Sequence, residues 1–195
     1  MLVECGLVRA TTDDGLEFVF RPSFGRIASL GSPHEIVELY ARLHGADAEA
    51  TSAYVLAGLC DQEDASALIG WRDEDGWHDG KMPPAERVII ARHLMHHGVV
   101  GRAKPESADP GEAGAYTDSF DAAEFIAAAQ VHLGLSRADA EGLSMSEFQR
   151  LLDIKFPRKR AGREVPSREA YDRAMAALKA RNEAANDSTT DARAP

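Results

Sequence analysis

The residues with the most chemical potential are the histidines of "HLMHH": His93, His96 and His97. His93 and His97 lie four apart, a spacing that places two imidazoles on one helix face, where zinc enzymes hold their metal. The catalytic glutamate of the HExxH type is missing and no third ligand is near in sequence, so His93 and His97 are weak metal candidates. Histidines near a helix C-terminus are also favoured by the helix dipole. "DEDGWHDG", from Asp73, has the acid density of a calcium loop. The required glycine and closing glutamate are not at their spacings, and a solvated acidic turn tied to the core by Trp71 or Trp77 is expected instead. No glycine-rich phosphate loop and no G-x-S-x-G elbow occurs, so no catalytic residue and no cofactor is assigned.

The other chemically pointed stretch is "KFPRKRAGR", Lys155–Arg163, with five basic residues and no acid. It contrasts with the rest of the chain. Residues 1–150 carry 12 Lys/Arg against 25 Asp/Glu, whereas residues 151–183 carry 9 against 5. An acidic body argues against a general nucleic-acid binder. A local basic run suits an acidic partner surface or serves as a solubilising connector, and with Phe156 as its only aromatic it makes a poor platform for nucleic acid.

These stretches need elements to hold them. At 195 residues with 44% hydrophobic and 28% charged residues, the chain can build a sizeable core. No apolar run has membrane-spanning length, and the N-terminus lacks the basic and apolar regions of a signal peptide. A soluble, cytoplasmic protein is therefore expected. Cys5 and Cys60 are too few for a disulfide framework and read as small buried side chains.

The chain opens on a predicted β-hairpin, Leu2–Ala10 and Leu16–Arg21, with Asp14-Gly15 at its tip and Pro22 ending the second strand. Helices are predicted next. Ser32, Pro33 and Glu35 start the first, and Ile36, Val37, Tyr40 and Leu43 form its apolar face. "EATSAYVLAGLC" is apolar nearly all round and reads as a buried central helix. "PPAERVIIARHLMHHG" makes another, with Ile89, Leu94 and Met95 inward and Gly98 as its stop. Residues 102–119 are rich in Pro, Gly, Ala and acid and read as a linker. A last helix places Tyr171, Met175 and Leu178 on one side, and residues 185–195 read as a disordered tail.

"LGLSRADAEGLSMSEF", Leu133–Phe148, holds two helix starts eight residues apart. Gly134 closes one helix, Ser136 caps a single turn, and Ser144 with Glu147 forms a capping box for the next. Met145, Phe148, Leu151 and Leu152 then line one face, and Pro157 bars extension. Leu133, Leu135, Leu143, Phe148 and Leu152 are expected to share one small core.

This stretch resembles the short signature of phage tail assembly chaperones, including those of gene-transfer-agent clusters. Leu133, Gly134, Leu135, Ser136, Leu143, Ser144, Glu147 and Phe148 match that pattern in register, over about 25 residues in all. Arg137 stands where proline is usual, and Ala140 and Glu141 where Phe or Trp is usual. With "FRPSFGRIASLGSPHEIVELY", the chain also resembles an uncharacterised family of proteins from phage tail gene clusters. The resemblance implies a non-enzymatic role: binding the tape measure protein, keeping it soluble, recruiting tail tube subunits, and being absent from the finished virion.

The expectation is a mainly α protein with an N-terminal β-hairpin packed on a helical bundle and a small C-terminal helical unit. Its divisions are 1–101, a linker at 102–119, a unit at 120–184 with the basic segment 155–163, and the tail 185–195. Partner contact is expected at Phe148, Leu151, Leu152 and Phe156, then at Arg158, Lys159 and Arg160. The other readings are a structural tail or head–tail connector protein and a small DNA-binding regulator.

Overall fold

The computed structural model describes residues 6–102, 118–157 and, within 168–179, all but 170 and 174. The chain is mainly α. Residues to Pro157 form one compact unit and those from Arg158 a second.

The first unit begins with the predicted hairpin. β1 (Val8–Thr11) and β2 (Glu17–Phe20) pair antiparallel, with Val8 opposite Phe20 and Thr11 opposite Glu17. Gly15 takes φ +83° at the tip, a left-handed conformation that suits glycine. The strands are shorter than expected, and residues 2–5 lie outside the described residues. Alternation buries Phe18 and Phe20. A two-stranded hairpin is marginal alone, and this one is anchored along its second edge. The Asp61 amide donates to the Val19 carbonyl (2.7 Å) and the Arg21 amide to the Leu59 carbonyl (2.9 Å). The Gln62 side-chain amide accepts from the Val19 amide and donates to the Glu17 carbonyl, extending that edge.

α1 (Phe24–Ser29) follows, capped by Ser23. α2 (Pro33–Arg42) has the expected capping box between Ser32 and Glu35, with Ile36 and Leu39 buried. α3 (Ala48–Leu59) encloses Thr51, Ser52, Val55, Leu56 and Leu59 but is not buried all round as expected: Ala50, Tyr54 and Ala57 are exposed. After a short α4 (Ser66–Ile69) comes a second hairpin, β3 (Gly70–Asp73) paired with β4 (Gly76–Asp79). The acidic stretch is therefore a hairpin loop, and the expected anchoring of its tryptophans in the core is not found: Trp71 and Trp77 are both nearly half exposed. Trp71 stacks on the cross-strand His78 instead.

α5 (Pro84–Met95) lies against α3. It buries Val88, Ala91, Leu94 and Met95, while Ile89, expected inward, is 65% exposed. Ile89 and Ile90 are adjacent, and a helix cannot turn both toward one partner. Gly98 does not stop the helix: a π-helical turn, His96–Val100, carries it to Gly101.

Beyond the stretch 102–119, of which residues 103–117 lie outside the described residues, α6 (Ala122–Ala128) runs into a second π-helical turn, Ala129–Leu133. Gly134 ends it in the left-handed conformation, φ +73°. α7 (Arg137–Glu141) is capped by Ser136, and α8 (Met145–Lys155) by Ser144 in the predicted box with Glu147. The caps at Ser136 and Ser144 and the stop at Gly134 lie where the spacing predicts them.

The division at 102–119 does not hold as a domain boundary. Phe24 of α1 stacks on Phe125 of α6 (ring centroids 5.6 Å), and Phe120 stacks on Phe125 (5.1 Å). Phe148 of α8 meets Phe24 and Phe125 edge-on. The Phe24 amide donates to the Leu143 carbonyl at 2.8 Å. Leu133, Leu135, Leu143 and Leu152 accordingly pack on the common core rather than forming their own. Apolar faces too short to bury themselves find a larger partner in the N-terminal half.

In the second unit the described residues of 168–179 are helical and all exposed, Tyr171, Met175 and Leu178 among them. Residues 185–195 lie outside the described residues.

Candidate functional site

The three histidines sit where α5 passes into its π-helical turn. The rings of His93 and His97 meet edge to face at 4.6 Å, and His96 approaches His97 at 5.7 Å. His97 Nδ1 lies 2.7 Å from the Ser146 hydroxyl of α8. Burial is the first cause that lowers the pKa of both His93 and His97, reinforced by the neighbouring imidazoles. Among the described residues no group of three or more His, Cys, Asp or Glu is placed to hold a metal ion. The geometry assigns His97 a structural task, joining α8 to α5. Gln149 adds to it, accepting from the Arg102 amide (2.7 Å) and donating to the Val100 carbonyl (3.3 Å), so α8 satisfies the end of the π-helical turn.

The contact residues expected on α8 divide into three groups. Phe148 is 4% exposed, enclosed by Phe24 and Phe125, and is a core residue rather than a contact residue. Leu151 and Leu152 are partly buried, Leu152 against the core. Phe156 is 53% exposed and belongs to an apolar helix end with Ile154, 69% exposed. α8 packs there on the turn Ala129–Leu133; His132 of that turn meets Phe156 edge-on, and Val131 of the same turn is 78% exposed. Arg158, Lys159 and Arg160 lie outside the described residues. Cys60 is a free, buried thiol whose pKa burial pushes up, which leaves it an inert core side chain.

Sequence reasoning missed a cleft of about 900 Å³ between the open face of α3 and the second hairpin. Its floor is Ala50, Ala53 and Ala57 of α3 beside the Tyr54 ring, whose hydroxyl donates to the Leu30 carbonyl (2.7 Å). Asp47 and Glu49 line it at the start of α3, Glu63 and Asp64 on the loop after it. Trp77, Asp79 and Arg87 form the far wall. Arg87 is only 2% exposed. Its Nη1 donates to the Ile69 carbonyl (2.7 Å) and to Asp79 Oδ1 (3.2 Å), and its guanidinium lies 5.3 Å from the Trp77 ring centroid. The Trp77 indole N–H donates to the same Asp79 oxygen at 2.8 Å. This indole contact and then Arg87 hold the Asp79 carboxyl below the usual range. The Ser66 hydroxyl and amide do the same for Asp64. The available sequence signal was the doubled Gly-Trp-x-Asp of "GWRDEDGWHDG", two matched strands around Glu74-Asp75, which the acid content obscured.

A family of unknown function, DUF6246, matches residues 46–173. The chain belongs to this family. The DUF6246 match takes in every lining residue of the α3 cleft, α8 and the described helical residues to 173, and leaves the N-terminal hairpin, α1 and α2 outside. No curated protein and no solved structure matches the chain.

Proposed function

We propose that this chain is a non-enzymatic phage tail assembly chaperone that binds the tape measure protein, the tail tube subunits, or both, in the host cytoplasm and is absent from the mature virion. The observation that carries the reading is the apolar helix end of α8: Ile154 and Phe156 are both more than half exposed, and Val131 of the turn that α8 packs on is exposed as well. Large apolar side chains left exposed together mark protein-binding surfaces, and an amphipathic client helix can cover them. The match of Leu133–Phe148 to the tail-chaperone signature supports the same reading, since this signature leads directly into that helix end. Phe148 supports the platform from within the core, and Phe156 is its contact aromatic. No helix among the described residues is long and apolar enough to cross a membrane.

A tagged full-length chain, recovered from cells assembling phage tails, tests the reading. Mass spectrometry is expected to find one very long helical protein, with or without tube subunits. Recovery of neither, with the chain found in purified virions, would overturn it in favour of a structural tail component.

A further inference from the structure

We propose that the cleft beside α3 is a docking groove for a basic, amphipathic helix of a partner protein. It is separate from the α8 helix end and stands whether or not the chain is a chaperone. The floor sets the shape of the occupant. Ala50 and Ala57 are exposed two turns apart on α3, and side chains this small let a second helix approach closely, because interaxial distance is set by the residues at the contact. Along α3 the lining runs from Glu49 to Ala57, about 12 Å of helix or a little over two turns, which suits an elongated segment better than a compact solute.

Charge sets the chemistry of the occupant. Asp47 and Glu49 lie at the start of the floor helix, Glu63 and Asp64 on the loop after its end. Two cations share the lining: Arg87, which Asp79, the Ile69 carbonyl and the Trp77 ring already engage, and the exposed Arg72; Asp47, Glu49, Glu63, Asp64 and Asp79 outnumber them, so the cleft is net acidic. Carboxylates at both ends of an apolar floor complement a helix that carries lysines or arginines beside a narrow small-residue stripe. Trp77 stands nearly half exposed at the edge, the kind of side chain that anchors protein interfaces and stacks with a basic side chain.

The test uses the full chain and a fluorescent synthetic helix of alanine and leucine, about five turns long, with lysines along its polar face. Binding is followed by anisotropy at low salt, beside a matched helix with glutamate for every lysine. The lysine helix is expected to bind and the glutamate helix not to. Glu63→Lys and Ala50→Arg, both at exposed positions, are each expected to weaken binding about tenfold or more, with the circular dichroism melt confirming that they fold. Phe156→Ala is expected to leave this affinity unchanged, which separates the groove from the α8 end. No binding of the lysine helix, equal affinity in wild type and both variants, or full displacement by spermidine at matched charge would each overturn the proposal, the last by assigning the cleft to small polycations.

Discussion

Phe24 and Phe148 meet edge to face with ring centroids 5.8 Å apart, one from the first helix of the chain and the other from α8. They are 124 positions apart in sequence, yet Phe125 lies against both, and this contact makes the C-terminal helices part of the N-terminal core. Favourable aromatic pairs are worth about 0.5–1.5 kcal/mol beyond the area they bury.

Phe148→Ala is expected to destabilise the chain by about 3–5 kcal/mol through a cavity at this junction. A thermal melt of the full-length variant checks it. A change of less than about 1 kcal/mol would mean that the junction is loosely packed and Phe148 dispensable to it.

Phe156→Ala is expected to do the opposite. The side chain is more than half exposed, so stability should stay within about 0.5 kcal/mol of wild type. Recovery of the partner from tail-producing cells should fall. Undiminished recovery would remove the α8 end as the contact surface.

Ser144→Ala removes the side chain that accepts from the Glu147 amide (3.3 Å) and donates to the Glu147 carboxylate (3.0 Å). Loss of such an N-cap costs about 0.5–2 kcal/mol, and burial of Ser144 places the effect in the upper part of that range. The urea midpoint reports it, and Ser144→Thr, which keeps a hydroxyl that both accepts and donates, is expected to recover part of the loss. A midpoint unchanged in Ser144→Ala would show the cap to be redundant.

Stability should fall with acid through the histidine cluster. His93 and His97 are held below their ordinary 6.5, first by burial. Below that pH the unfolded chain takes up protons that the folded chain refuses, so the unfolded state gains. This contribution is flat above about pH 6.5 and stability declines as pH drops below it, until the lowered folded values are passed. Asp14, held near 2 by the Lys81 ammonium and the Thr12 hydroxyl, acts in a separate window, losing its contribution only as pH falls below its ordinary 3.8. Urea midpoints at about pH 7.5 and about pH 5.5 check the histidine window. His93→Asn should flatten the difference; an equal slope in that variant would place the acid sensitivity elsewhere.

What the sequence by itself determined is local. The capping boxes of Ser32 with Glu35 and Ser144 with Glu147, the single turn capped by Ser136, the stop at Gly134 and the Asp14-Gly15 hairpin tip each depend on residues within four positions of one another. Their physics is complete in a short stretch of chain, so spacing and residue type sufficed to place them. What only the tertiary structure decided is burial and neighbourhood. α5 is apolar on more than one side, and its packing on α3 selected Val88, Ala91 and Leu94 for the core while leaving Ile89 in water. Nothing near Phe148 in sequence marks it as core and Phe156 as surface; Phe24, far away in the chain, makes that distinction. The α3 cleft is of the same kind. Its alanine floor, acidic border and Arg87–Trp77 wall come from segments as distant as Ala46 and Arg87, and become one surface only when the second hairpin folds beside α3.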